Sequence, residues 1–101
     1  MPKLVNKVVF VNGRRTSMRM CQREWSAFEE VCGREKISRN ELLGLIEECK
    51  KDELGLTYST RLFIISYFWN AATETGHANA GHSCNDRYQT LRKIIGNSLT
   101  D

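Results

Sequence analysis

Gly13-Arg14-Arg15-Thr16-Ser17-Met18-Arg19-Met20 is the stretch that decides how this chain is read. Arg15, Ser17 and Arg19 alternate with Thr16, Met18 and Met20, so the polar residues fall on one side and the less polar ones on the other. A period of two over this length predicts a strand from Arg14 to Met20 with one covered face and one free face. Just upstream, Val8-Val9-Phe10-Val11 is β-branched and aromatic and runs into Asn12-Gly13. That dipeptide is a strong hairpin signal, because both residues tolerate positive φ. The segment therefore predicts one short β-strand or, with Val8–Val11 as its partner, an N-terminal hairpin.

The charge around this strand is one-signed. The 101-residue chain carries a net charge of +3, but Met1 to Arg23 holds Lys3, Lys7, Arg14, Arg15, Arg19 and Arg23 with no acidic residue. From Glu24 to Glu53 there are nine acidic residues against five basic ones. A solvated face usually mixes its signs, so an all-basic leading segment points to a polyanion, either nucleic acid or membrane lipid. No amphipathic helix accompanies the basic segment, which weakens the membrane alternative. The longest apolar run, Leu62–Trp69, is broken by Ser66 and is too short to span a bilayer. Met1-Pro2-Lys3-Leu4 lacks the apolar core of a signal peptide, so a cytoplasmic protein is expected.

Downstream of the strand, Trp25, Phe28, Val31 and Cys32 recur at spacings of three and four, predicting a helix from about Gln22 to Arg34. Ser38-Arg39-Asn40-Glu41 has the form of a capping box and opens a second helix with Leu42, Leu43, Leu45, Ile46 and Cys49 on its core face. After Gly55 a third helix is expected near Thr57 or Ser59. It is apolar nearly all round, through Leu62, Phe63, Ile64, Ile65, Tyr67, Phe68 and Trp69. Such a helix must be covered on several sides, and in a short chain a second subunit is the natural cover. The expected organisation is a domain over 1–69, a linker rich in small and polar residues over 70–84, and a tail over 85–101. In that tail Tyr88, Leu91, Ile94 and Ile95 return at helical spacing.

No nucleophile–base pair, Walker loop or carboxylate dyad is visible, so catalysis has no positive support and the chain is not read as an enzyme. Cys21, Cys32, Cys49 and Cys84 show no C-x-x-C spacing, and Cys32 and Cys49 sit on apolar helix faces as small hydrophobes. His77, His82 and Cys84 have no fourth ligand grouped nearby, so neither a metal nor another cofactor is expected.

The order strand, helix, helix has a functional consequence. A lone strand leaves backbone groups unpaired, and two subunits pairing Arg14–Met20 antiparallel would form a two-stranded ribbon. The major groove of B-DNA admits such a ribbon, and Arg15, Ser17 and Arg19 have the chemistry to reach base edges from it. Free N–H groups at the start of the second helix, around Ser38, Arg39 and Asn40, suit a phosphate, with Arg14 and Arg23 as further phosphate contacts. The dimer core expected in this arrangement comprises Met18, Met20, Trp25, Phe28, Leu42, Ile46, Ile65 and Phe68. Taken alone, three alternating polar residues on a strand are more often a plain solvated face. The acid-free segment and the helix order shift the balance towards DNA.

Gly13 to Met20, followed by Trp25 and then Ile37-Ser38-Arg39-Asn40-Glu41-Leu42, resembles the Arc/MetJ-like ribbon-helix-helix family of DNA-binding proteins. It is similar in particular to short bacterial members with a G-x-R-T-S strand and an R-L-F third helix, matched here by Gly13–Ser17 and by Arg61-Leu62-Phe63. The resemblance covers about Lys7 to Trp69, and the Val8–Val11 segment and apolar third helix exceed the minimal fold. It implies a mainly α, intertwined homodimer with a two-stranded antiparallel ribbon and an added third helix. The function implied is that of a sequence-specific double-stranded DNA-binding transcriptional regulator, a repressor, in a bacterium or phage. Arg15, Ser17 and Arg19 correspond to groove-facing strand positions, and Ser38 and Asn40 to the phosphate-holding helix start. Higher assembly on DNA is compatible with it. The alternative is an antitoxin-like or other interaction module whose C-terminal tail binds a protein partner.

Overall fold

The computed structural model of the chain describes residues 3–72 and Ile95. Two strands, β1 (Leu4–Val11) and β2 (Arg14–Cys21), precede three helices, α1 (Gln22–Glu35), α2 (Arg39–Cys49) and α3 (Leu56–Ala72). The strands form an antiparallel hairpin in which Val11 pairs with Arg14 and Leu4 with Cys21. Of the two forms the sequence allowed, the hairpin is the one that forms. The strand with the alternating polar residues thus finds its hydrogen-bonding partner within its own chain.

Asn12 and Gly13 make the turn with φ of 51° and 82°. Positive φ at both central residues matches the right-handed twist of the flanking strands. The inner face of the sheet, with Val9, Val11, Met18 and Met20 buried, lies over the helices. β1 rests against α2, and β2 against α1 and α3. Gly44 of α2 lets that approach happen, since a Cβ there would stand 3.0 Å from Asn12 Oδ1 at the hairpin turn.

The start and end of α1 and the start of α2 have local causes. α1 opens where Glu24 Oε1 accepts the Cys21 N–H at 2.9 Å. It runs through Gly33 and ends at Lys36, which takes the left-handed conformation at φ 53° while its N–H returns to the Cys32 carbonyl. α2 has the expected capping box: Glu41 N–H donates to Ser38 Oγ at 3.1 Å and Ser38 N–H to Glu41 Oε1 at 3.2 Å. α3 begins at Leu56 and continues past Trp69 to Ala72.

Trp25, Phe28, Leu42, Leu43, Ile46 and Phe63 are fully buried at the centre, where the Trp25 and Phe28 rings meet edge to face at 6.1 Å. Burying a side chain of this size contributes roughly 1.5–3 kcal/mol, which makes this cluster the main source of stability. Ile95 is also helical and fully buried in the same cluster. Met18, Met20, Trp25, Phe28, Leu42 and Ile46, expected in a dimer core, are therefore buried by one chain. Ile65, from the same set, is 63% exposed, and Phe68 is half-buried. No helix among the described residues is long and apolar enough to cross a membrane.

Candidate nucleic-acid interface

The alternation read from the sequence is the geometry of β2. Arg15, Ser17 and Arg19 are all exposed on the sheet face turned away from the helices, while Met18 and Met20 are buried on the other face and Thr16 half-buried there. The outer face is completed by β1, whose pairing sets Asn6 opposite Arg19, Val8 opposite Ser17 and Phe10 opposite Arg15. All three β1 residues are exposed. Reading β2 alone missed them. The signal was present in the Asn12-Gly13 turn, because a two-residue loop fixes the register and hence the face of every β1 residue.

The hairpin is fastened at both margins. Along β1, the Trp25 indole N–H donates to the Val5 carbonyl at 2.8 Å, and the Phe10 N–H donates to Asn40 Oδ1 at 3.2 Å. Along β2, Arg61 Nη2 donates to the Arg19 carbonyl at 3.4 Å while its Nε donates to Glu24 Oε2 at 2.8 Å. Glu24 links α1, β2 and α3. Its desolvation raises its pKa, but the Cys21 N–H and the Arg61 guanidinium outweigh this and hold the carboxyl below its ordinary value.

The start of α2 lies beside β1, as the Asn40–Phe10 bond shows. The Arg39 and Asn40 N–H groups find no acceptor among the described residues, while those of Glu41 and Leu42 are taken by Ser38. The side chains here are engaged. The Arg39 guanidinium donates to Glu29 Oε1 at 2.9 and 2.7 Å and lies 5.7 Å from the centre of the Trp25 ring. Any phosphate approaching this turn would meet two free N–H groups and the positive end of the helix, but also the Glu29 and Glu41 carboxylates. Arg14 and Arg23 are exposed, the first beside the hairpin turn and the second in the first turn of α1.

Among the described residues no group of three His, Cys, Asp or Glu side chains could hold a metal. His77, His82 and Cys84 lie outside the described residues, as does the proposed linker beyond Ala72.

α3 shows two opposite apolar faces. Ser59, Thr60, Phe63, Ile64 and Tyr67 are buried against the domain, and the Tyr67 hydroxyl donates to Glu35 Oε2. Tyr58, Ile65 and Trp69 are 53, 63 and 72% exposed along the other side.

Among known protein families, the ribbon-helix-helix domain matches residues 4–75. Members of that family are generally DNA-binding transcription regulators and typically bind DNA as dimers. No curated protein and no solved structure matches the chain.

Proposed function

The chain belongs to the ribbon-helix-helix domain family, and from that premise we propose that it is a sequence-specific double-stranded DNA-binding regulator, repressing transcription by occupying a promoter. The observation that carries this reading is the exposed outer face of the hairpin, where Arg15, Ser17 and Arg19 stand together on a strand whose other face is buried in the core. A two-stranded ribbon fits the major groove, arginine can pair with guanine O6 and N7 in bidentate fashion, and serine can donate or accept. The Gly13–Ser17 strand motif supports a likeness to the short bacterial members with a G-x-R-T-S strand.

Phosphate contacts fix such a ribbon in register without reading sequence. Arg14 beside the turn, Arg23 on α1 and the N–H groups of Arg39 and Asn40, behind the Ser38 cap, are the groups we assign to them. The regulator acts as a homodimer. The exposed stripe of Tyr58, Ile65 and Trp69 on α3 is the surface assigned to the second copy, because large apolar side chains grouped in water mark a protein contact. Pairing of two β2 edges is the less favoured contact. The Arg19 carbonyl and Cys21 N–H on that edge are already taken by Arg61 and Glu24. An antiparallel match about Ser17 would also set Arg15 opposite the partner's Arg19, and like charges directly opposite destabilise.

The antitoxin-like alternative has less support from Ile95, the one described residue beyond Ala72. Ile95 is buried in the domain's own core, where it is not free to anchor a separate protein.

The test is selection of bound duplexes from a random pool with wild type and with an Arg15→Ala/Ser17→Ala/Arg19→Ala variant of verified fold. A sharp motif enriched by wild type and lost by the variant is expected. A motif retained by the variant would move the reading surface elsewhere.

A further inference from the structure

We propose that β1 is a second reading strand: Asn6, Val8 and Phe10 contact bases in the major groove beside Arg19, Ser17 and Arg15. This rests on the assignment of the hairpin's outer face to DNA and extends it to residues that a reading of β2 alone leaves out.

The placement follows from register. Asn6–Arg19, Val8–Ser17 and Phe10–Arg15 are directly opposite pairs on one face of the hairpin. The Phe10 N–H points away from β2, to Asn40, so Phe10–Arg15 is a pair without mutual hydrogen bonds. The pairs two residues along have the same character, and in such pairs the Cα atoms are only about 4.5 Å apart with side chains in contact range. Whatever base step Arg15 or Arg19 reaches, its β1 neighbour is at the adjoining one.

The chemistry is complementary. Asparagine can bond adenine N6 and N7 together, and apolar side chains can pack on the thymine methyl group. Arg15 and Arg19 would read guanine, so the two strands divide the groove into polar guanine-reading and adenine/thymine-reading positions. Val8 and Phe10 are 46 and 48% exposed on a face they share with Leu4, Asn6, Arg15, Ser17, Arg19 and Cys21. Both lie on the face turned away from the buried Val9 and Val11, so core formation does not explain them. An apolar partner surface would be repelled by the desolvation of two arginines set among them. DNA, whose phosphates attract the arginines and whose groove floor carries methyl groups, meets both requirements. The absence of any acidic residue from Met1 to Arg23 removes the main obstacle to that approach.

The experiment compares wild type, Asn6→Ala, Val8→Ala and Phe10→Ala for duplex selection, each full-length and checked for thermal stability and oligomeric state. Asn6→Ala is expected to lose about 5- to 150-fold discrimination at one position next to the one that Arg19 specifies. Non-specific binding should be unchanged. Replacing thymine by uracil in the selected site should weaken wild type a few-fold but leave Val8→Ala or Phe10→Ala unaffected. If wild type selects a motif that needs Arg15 and Arg19 while all three β1 variants keep it intact, the inference fails and the DNA-reading function stands. If wild type selects no motif, both fall. A loss of self-association in Val8→Ala or Phe10→Ala without a change in motif would show that this face meets protein instead, and would overturn the inference.

Discussion

Arg61 and Glu24, 37 positions apart in sequence, meet with Nε 2.8 Å from Oε2, and the same guanidinium reaches the Arg19 carbonyl. α3 is thereby joined to the end of the strand that carries Arg15, Ser17 and Arg19. Lysine keeps the charge of Arg61 but not its planar fork, and cannot serve both acceptors in the same way. Arg61→Lys is expected to cost about 0.5–1 kcal/mol, since the pair is part-exposed. It should weaken specific DNA binding without changing the preferred sequence, a combination that thermal unfolding and duplex selection together reveal.

The same carboxylate makes stability depend on pH in one direction. Glu24 is held below its ordinary pKa in the folded chain, so its contribution is complete at neutral pH. It declines as the pH falls below 4.5, the ordinary value, and is lost as the lowered folded-state pKa is passed. Unfolding free energies of wild type and Glu24→Gln should therefore differ at pH 7 and converge in acid. Curves that stay parallel would remove Glu24 from the account.

Trp25 does more than fill the core. Its indole N–H holds the Val5 carbonyl at 2.8 Å, and Lys7 Nζ lies 5.2 Å from the ring centre. Trp25→Phe keeps most of the apolar volume but leaves the hydrogen bond unmade, with an expected loss of about 1–3 kcal/mol. Amide exchange near Val5 should accelerate more than exchange in α2. Uniform acceleration would mean that the hydrogen bond does not fasten β1.

Much of this was readable in the residues themselves. The Asn12-Gly13 turn, the alternation from Arg15 to Met20 and the Ser38–Glu41 capping box are local signals, set by φ preference, side-chain period and a three-residue reach. They appear in the structure where they were expected. What was not legible depends on long-range packing. Ser38, Arg39 and Asn40 read as a phosphate site, but the Arg39 side chain is drawn to Glu29 and that of Asn40 to the backbone of Phe10. The Arg61–Glu24 pair likewise requires α3 to cross the strand–helix junction, which no local pattern states. The first helix, expected to about Arg34, runs to Glu35, and Lys36 rather than a glycine takes the left-handed position. The third helix read as apolar all round, and the structure divides it into a buried side and the exposed Tyr58, Ile65 and Trp69.

The assignment of the second copy to α3 separates two variants. Ile65→Glu should yield a monomer that remains folded, because Ile65 is exposed and outside the core. Ser17→Pro removes the N–H on the outer edge of β2, where proline is tolerated in an edge strand, and should leave the dimer intact. Sedimentation of both proteins checks this. A monomer from Ser17→Pro and a dimer from Ile65→Glu would place the contact at the strand edges instead.

Cys32 is expected to be silent towards thiol reagents in the folded state. Burial, reinforced by the neighbouring Glu29 charge, pushes its thiol up to about 11, so almost no thiolate exists near pH 8. Peptide mapping after brief alkylation should find Cys21 and Cys49 modified before Cys32, with Cys32 reacting only on unfolding. Early modification of Cys32 would show that α1 opens more readily than the packing implies.

The most direct test of the central claim is methylation interference on a selected duplex, because it asks which groove the protein occupies. Methyl groups on guanine N7 project into the major groove, and those on adenine N3 into the minor groove. With the outer face of the hairpin in the major groove, N7 methylation within the motif should abolish wild-type binding. It should have little effect on the residual binding of an Arg15→Ala/Arg19→Ala variant. Interference from adenine N3 methylation, with N7 methylation harmless, would contradict the account.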